Sequence, residues 1–152
     1  MKNFVKQLTQ LLSASRRARP GAHPDKPCPD GESRNERIFK RIGEVMARDK
    51  PYLDEDLDLE GLSSLVLANQ AYVSNAINSM SGTNFRTFLN GYRIRHCIGL
   101  LEDNAGIRIS DAAVQSGFRS LVTFNDAFKK VTGVTPTVYV RKMKARKTGP
   151  AR

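Results

Sequence analysis

Two stretches of this chain carry the same apolar pattern, and that repetition constrains the fold more than any single motif. Leu59, Leu62, Ser63 and Leu67 align with Ile109, Ala112, Ala113 and Gly117 at an offset of 50. After one inserted residue in the second turn, Val73, Ile77 and Gly82 align with Phe124, Phe128 and Gly133 at an offset of 51. Within each copy the apolar residues recur at helical spacing. A period near 50 that occurs only twice leaves no stack for a solenoid. Each copy therefore reads as a helix, a turn and a helix, over 58–82 and 109–133.

Local signals place the ends of these elements. Asp58 stands at an N-cap between Leu57 and Leu62, which occupy the positions of a hydrophobic staple, and Leu59, Leu62 and Val66 form the buried stripe that follows. Asn69 can cap the next helix, whose apolar residues are Val73, Ala76, Ile77 and Met80, and Gly82 is placed to stop it. Ahead of the first copy, Ser33 with Glu36 forms a capping box, and Ile38, Ile42, Val45 and Met46 predict a helix ending near Arg48, before Pro51. In the second copy the cap position falls to Arg108, a poor capping residue. After Gly133, Thr135 and Pro136 open a short last helix through Met143. Gly61, Gly91 and Gly99 lie inside helices, each costing about 1 kcal/mol relative to Ala.

Residues 83–103 join the copies as one long helix. Phe85, Phe88, Leu89 and Tyr92 share one side, whereas Ile94, Cys97, Ile98 and Leu101 share another, because the step from 92 to 94 turns the helix by about 200°. One helix then serves two cores. Every element after residue 32 reads as helix, so the fold class is all-α: two helix-turn-helix subdomains joined by a long linking helix.

The chain has 152 residues and a formal charge of +10. Residues 61–152 hold 13 basic side chains against four acidic ones, so the excess is concentrated where the repeats lie. A field of that sign attracts phosphodiester backbones or anionic lipid heads, and gives a bound polyanion salt-sensitive affinity. Residues 1–15 permit a short amphipathic helix through Val5, Leu8, Leu11 and Leu12, and residues 16–32, with Pro20, Pro24, Pro27 and Pro29, read as a linker without a core. The polar residues that interrupt the first segment exclude a secretory signal, and a cytoplasmic location is the expectation. No run approaches 18 consecutive apolar residues, so no membrane span is expected.

Other chemistries find little purchase. Cys28, Cys97, His23 and His96 are too few for a structural zinc site or a disulfide framework, and no metal or cofactor is expected. The acidic run Asp54, Glu55, Asp56, Asp58 and Glu60 fails as a calcium loop, because Leu59 replaces the required Gly and Leu65 the closing Glu. It reads instead as acids near a helix N-terminus. Cys97 falls on an apolar face, Cys28 in the linker, and His96 on the long helix as a surface or half-buried residue. Phe85, Phe88, Phe118, Phe124 and Phe128 are spaced as core, which disfavours a platform for stacking single strands. No nucleophile, base and orienting group share a recognisable spacing, and no glycine-rich phosphate loop is present, so the chain is not read as an enzyme.

A helix-turn-helix presents its second helix as a ridge that fits the major groove of B-DNA. Two such ridges on one face of a duplex sit roughly 34 Å apart. A helix from Phe85 to Glu102 spans roughly 27 Å and makes that spacing feasible. The expected partner is double-stranded DNA, read in two adjacent major-groove segments. A non-specific nucleic-acid binder and an effector fragment of a larger sensor are the alternatives.

The runs L-x-x-L-S at 59–63, Y-V-S-N-A-I-N at 72–78, N-F-R-T-F-L-N-G-Y-R-I at 84–94 and above all G-F-R-S-L-V-T-F-N-D-A-F-K-K-V-T-G-V-T-P at 117–136 sharpen this reading. From about Arg37 to Lys142 the sequence resembles the DNA-binding domain of AraC/XylS-type bacterial transcription regulators. That resemblance implies seven helices over 33–143, with the third and sixth as readers, followed by a basic tail at 144–152. Carried over by position, base-edge contacts come from Ala71, Ser74 and Asn75 on the first reader and from Leu121, Val122, Asn125 and Asp126 on the second. Tyr72, Asn78, Arg119, Thr123, Lys129 and Lys130 are better placed for phosphates. Asn75 and Asn125 can bond adenine bidentately, and Leu121 or Val122 can meet a thymine methyl. The resemblance further implies regulation of transcription, RNA polymerase as a protein partner and location at the nucleoid, whereas it is the length of the chain, with no room for a ligand-binding barrel, that leaves no small-molecule ligand expected. The resemblance leaves oligomeric state open. Two departures stand out: Ile77-Asn78 replaces a common aromatic-basic pair, and Asp126 stands where arginine is frequent.

Overall fold

A computed structural model of the protein describes residues 32–104 and 106–147. Among these residues are seven α-helices, one 3-10 turn and no strand. The helices are α1 (Arg34–Arg48), α2 (Leu59–Leu65), α3 (Gln70–Ser81), α4 (Phe85–Asp103), α5 (Ile109–Gln115), α6 (Leu121–Thr132) and α7 (Pro136–Lys147), with the turn at Pro51–Leu53. The all-α expectation and the order of elements hold. The amphipathic segment at 1–15, the linker (except Glu32), His23, Cys28 and residues 148–152 lie outside the described residues. The last helix runs to Lys147, beyond Met143, so residues 144–147 of the expected tail are helical.

The chain divides into two compact units, and the division is not a simple cut. The first comprises α1, α2, α3 and the start of α4 as far as Phe88; the second takes Leu89 onward together with a detached segment, Tyr52–Asp56.

In the first unit, α1 opens on the expected capping box: the Glu36 N–H donates to Ser33 Oγ at 3.2 Å, and the Ser33 N–H donates to Glu36 Oε2 at 2.8 Å. Its inner face buries Ile42, Val45 and Met46, and α1 packs on α3, whose Val73, Ala76 and Ile77 are buried in turn. Asp58 caps α2 by accepting from the Gly61 N–H at 2.7 Å, and Asn69 caps α3 by accepting from the Ala71 N–H at 2.8 Å. Gly82 closes α3 at φ 68°, a left-handed stop that glycine adopts without a Cβ clash. Phe88, at the start of α4, meets Phe39 of α1 with ring centroids 5.7 Å apart.

The second unit is built on aromatic packing. Phe124 and Phe128 are fully buried with Ile94, Cys97, Leu101, Ala112, Ala113 and Phe118. Phe118, Phe124, Phe128 and Tyr139 form a chain of edge-to-face contacts at 5.2, 5.5 and 5.5 Å, each favourable beyond the area it buries. Cys97 is a core residue as expected; burial pushes its thiol up to about 11, opposed by a hydrogen bond with Ser116.

The sequence gives no sign of the detached segment. Arg93, itself buried, donates from Nε to the Tyr52 carbonyl at 2.8 Å and from Nη2 to the Asp54 carbonyl at 2.6 Å. The Tyr52 ring lies 5.6 Å from that of Tyr92 and 6.0 Å from that of His96. Tyr92 thus meets the detached segment, and both it and Leu89 fall in the second unit, whose share of α4 begins after Phe88. The acidic run is likewise split: Asp58 and Glu60 sit at the start of α2 as expected, whereas Asp54, Glu55 and Asp56 belong to the segment held by Arg93.

Candidate nucleic-acid interface

Each unit presents its second helix on a turn of the same construction. In the first, the Leu67 N–H donates to the Ser64 carbonyl at 3.2 Å and the Ala68 N–H to the Ser63 carbonyl at 3.0 Å. In the second, the Gly117 N–H donates to the Val114 carbonyl at 2.9 Å and the Phe118 N–H to the Ala113 carbonyl at 3.1 Å. Both are Schellman closures, in which a left-handed residue satisfies carbonyls that a helix end would otherwise leave without partners. The left-handed residues are Leu67, at φ 53°, and Gly117, at φ 82°, the pair aligned by the repeat.

On α3, the buried residues Val73, Ala76 and Ile77 turn the opposite stripe outward. Ala71, Asn75 and Asn78 are exposed, Ser74 is half-buried, and Tyr72 is 45% exposed. Ala71, Ser74, Asn75 and Asn78 fall at i, i+3, i+4 and i+7, so they share one face. This helix carries no charged side chain along its length. A cation reaches it from α1: the Arg34 guanidinium lies over the Tyr72 ring, 4.8 Å from the centroid. Sequence reasoning missed Arg34, and no local signal could have found a contact between residues so far apart in the chain.

On α6, Phe124, Ala127 and Phe128 face the core, leaving Leu121, Val122, Thr123, Asn125, Asp126, Lys129 and Lys130 exposed. Leu121 and Val122 are 50% and 72% exposed, and both stand in the first turn of the helix. Two apolar side chains at the tip of a helix, next to Asn125 and ahead of two lysines, bring apolar, amide and cationic groups together on one exposed surface, the kinds of group that can meet base edges and phosphates. Arg119, two residues before α6, is committed elsewhere: its Nη2 lies 2.8 Å from Asp56 Oδ1 and 3.6 Å from Glu55 Oε1. All seven expected base-contact residues thus lie on the two second helices, and of the expected phosphate contacts Arg119 alone is held in an ion pair described here. Among the described residues no group of His, Cys, Asp and Glu could hold a metal ion, and no helix is long and apolar enough to cross a membrane.

A family model described as a helix-turn-helix domain matches residues 62–142, over half of the chain. The chain belongs to the AraC-type helix-turn-helix family. An uncharacterised helix-turn-helix-type transcriptional regulator of Staphylococcus aureus is 32% identical over 100 residues, which are 65% of this chain and 13% of that regulator. The chain therefore matches only a small part of its curated relatives. Among solved structures, the C-terminal domain of AraT, a response regulator from Geobacillus stearothermophilus, superposes with a TM-score of 0.57 at 25% identity, covering 78% of this chain and 88% of that one. The DNA-binding domain of AdpA, a global transcriptional factor solved in complex with a target DNA, shares the fold with a TM-score of 0.62 at 24% identity, covering 72% of this chain and 98% of that domain. The matched region of this AraC-type chain holds both turns, both second helices and all of α4.

Proposed function

We propose that this protein is a transcription regulator that binds a specific double-stranded DNA site, each unit laying its second helix into one of two successive major-groove segments. The observation that carries the reading is the pair of outward faces on α3 and α6, each following the same Schellman turn and each backed by a packed core. The net positive charge of residues 61–152 and the likeness to a domain solved on its target DNA support it. Ala71, Ser74 and Asn75 are the base-edge residues of the first unit, and Leu121, Val122, Asn125 and Asp126 those of the second. Tyr72, Asn78, Thr123, Lys129 and Lys130 serve the backbone, and Arg119 can join them once released from its carboxylates. RNA polymerase as a partner and a place at the nucleoid follow from the family alone.

Selection from a random duplex library tests the reading. A specific regulator enriches two short elements about one helical turn apart; a general polyanion binder enriches nothing. Asn125→Ala then relaxes preference at one base pair, costing about 1–3 kcal/mol of discrimination there. Unchanged ranking of site variants rejects the role of Asn125.

A further inference from the structure

The acidic segment Glu55–Asp56 stands beside the approach to α6, and nothing in the DNA-binding reading accounts for it. Its position is not accidental to a mobile loop. Arg93 fixes the Tyr52 and Asp54 carbonyls, Gly117 lets the Tyr52 and Leu53 carbonyls come against the α5–α6 turn, and the Asp56 N–H donates to Asp54 Oδ1 at 2.9 Å. The two carboxylates so held meet Arg119, with the Asp56 contact at 2.8 Å. The three side chains are between 50% and 68% exposed, so the pair lies open to an arriving anion.

We propose that Glu55 and Asp56 act as an internal substitute for a DNA phosphate, so that the second unit engages DNA by exchanging Arg119 from these carboxylates to a phosphodiester. This rests on the DNA-binding reading. A guanidinium takes carboxylate and phosphate oxygens with the same donor geometry, and one can replace the other without rebuilding the turn. The free protein holds Arg119 already neutralised, and the exchange leaves two carboxylates near the DNA backbone. The acids therefore lower affinity and set it through Arg119, a brake on non-specific binding that leaves base recognition by α6 untouched.

The test compares four full-length proteins: the natural chain, Glu55→Gln/Asp56→Asn, Arg119→Gln, and the triple variant. Each is titrated by fluorescence anisotropy with a mixed-sequence duplex three helical turns long across a KCl series. Circular dichroism checks that helix content is unchanged. Neutralising the acids is expected to tighten binding roughly two- to fivefold in the presence of Arg119 with little change in the log-log salt slope, because Arg119 meets the phosphodiester in both proteins. Arg119→Gln itself lowers that slope by about 0.9, the share of the lost phosphate contact, and in its background neutralising the acids gives a clearly smaller gain. An equal or larger gain without Arg119 overturns the exchange, because simple relief of repulsion then explains the effect. If the natural chain and every variant fail to bind any duplex, the DNA-binding reading falls and this inference with it. If the natural chain binds while the variants show no coupling, the inference alone falls.

Discussion

The two helix-turn-helix units solve the same turn with different residues. At the left-handed position the first unit uses Leu67, 80% exposed, and the second uses Gly117. A Cβ on Gly117 would lie 2.5 Å from the Tyr52 carbonyl oxygen and 2.8 Å from that of Leu53. The glycine is thus required twice, by its backbone angle and by the chain folded against it. Leu67 meets only the first requirement, and meets it poorly. At the cap of the first helix the order reverses: Asp58 closes α2 with a 2.7 Å bond, whereas Arg108, at the aligned position, makes no side-chain cap to α5. Each unit is locally well made where the other is not. Repetition fixes the backbone, while the surroundings of each copy decide which residue can occupy it.

The largest test of this contrast is Gly117→Ala. Forcing a left-handed alanine against two carbonyls combines backbone strain with overpacking, and a loss of about 3–4 kcal/mol is expected in urea unfolding of the full chain. A loss below about 1 kcal/mol, within the cost of strain alone, would show that the Tyr52–Asp56 segment is not pressed on this turn. Arg93→Met probes the same segment from the other side. Met keeps much of the apolar stem but leaves the Tyr52 and Asp54 carbonyls without their charged donor, and about 2 kcal/mol should be lost. The first unit has no equivalent demand at Leu67, so its turn should tolerate any small side chain.

These two contacts also show where the sequence stops being legible. Caps and stops are local, and Ser33, Asp58, Asn69, Gly82 and Gly133 all act where their residue types indicate. The outward faces of α3 and α6 were legible as the complement of the buried stripes. The Tyr52–Asp56 segment was not, because Arg93 bonds backbone carbonyls, which every residue supplies, and so leaves no pattern at the accepting positions. The acids beside it carried a plausible local meaning at the start of α2, which hid the ion pair with Arg119 formed across more than sixty residues. Pairings across such distances depend on the packed fold and on no periodicity.

A third test is the cap exchange. Arg108→Asp should supply α5 with the acceptor that Asp58 gives α2, and replace a cation at a helix N-terminus with an anion. A gain of about 1 kcal/mol is expected. No gain would mean that a helix of seven residues packed by Ala112 and Ala113 draws its stability from that packing and not from its end.

The smallest effect should come from Leu67→Gly, and its sign is the informative part. A left-handed L-residue costs about 1–2 kcal/mol, and glycine relieves this while losing about 0.5–1 kcal/mol to the greater freedom of the unfolded chain. Since Leu67 is 80% exposed, almost no packing is forfeited. The balance is a stabilisation of roughly 0.5–1 kcal/mol, read as a shift in the urea midpoint with unchanged slope. Destabilisation would mean that the leucine side chain makes a contact in solution that its exposure conceals, and the first turn would then be as fully determined by its surroundings as the second.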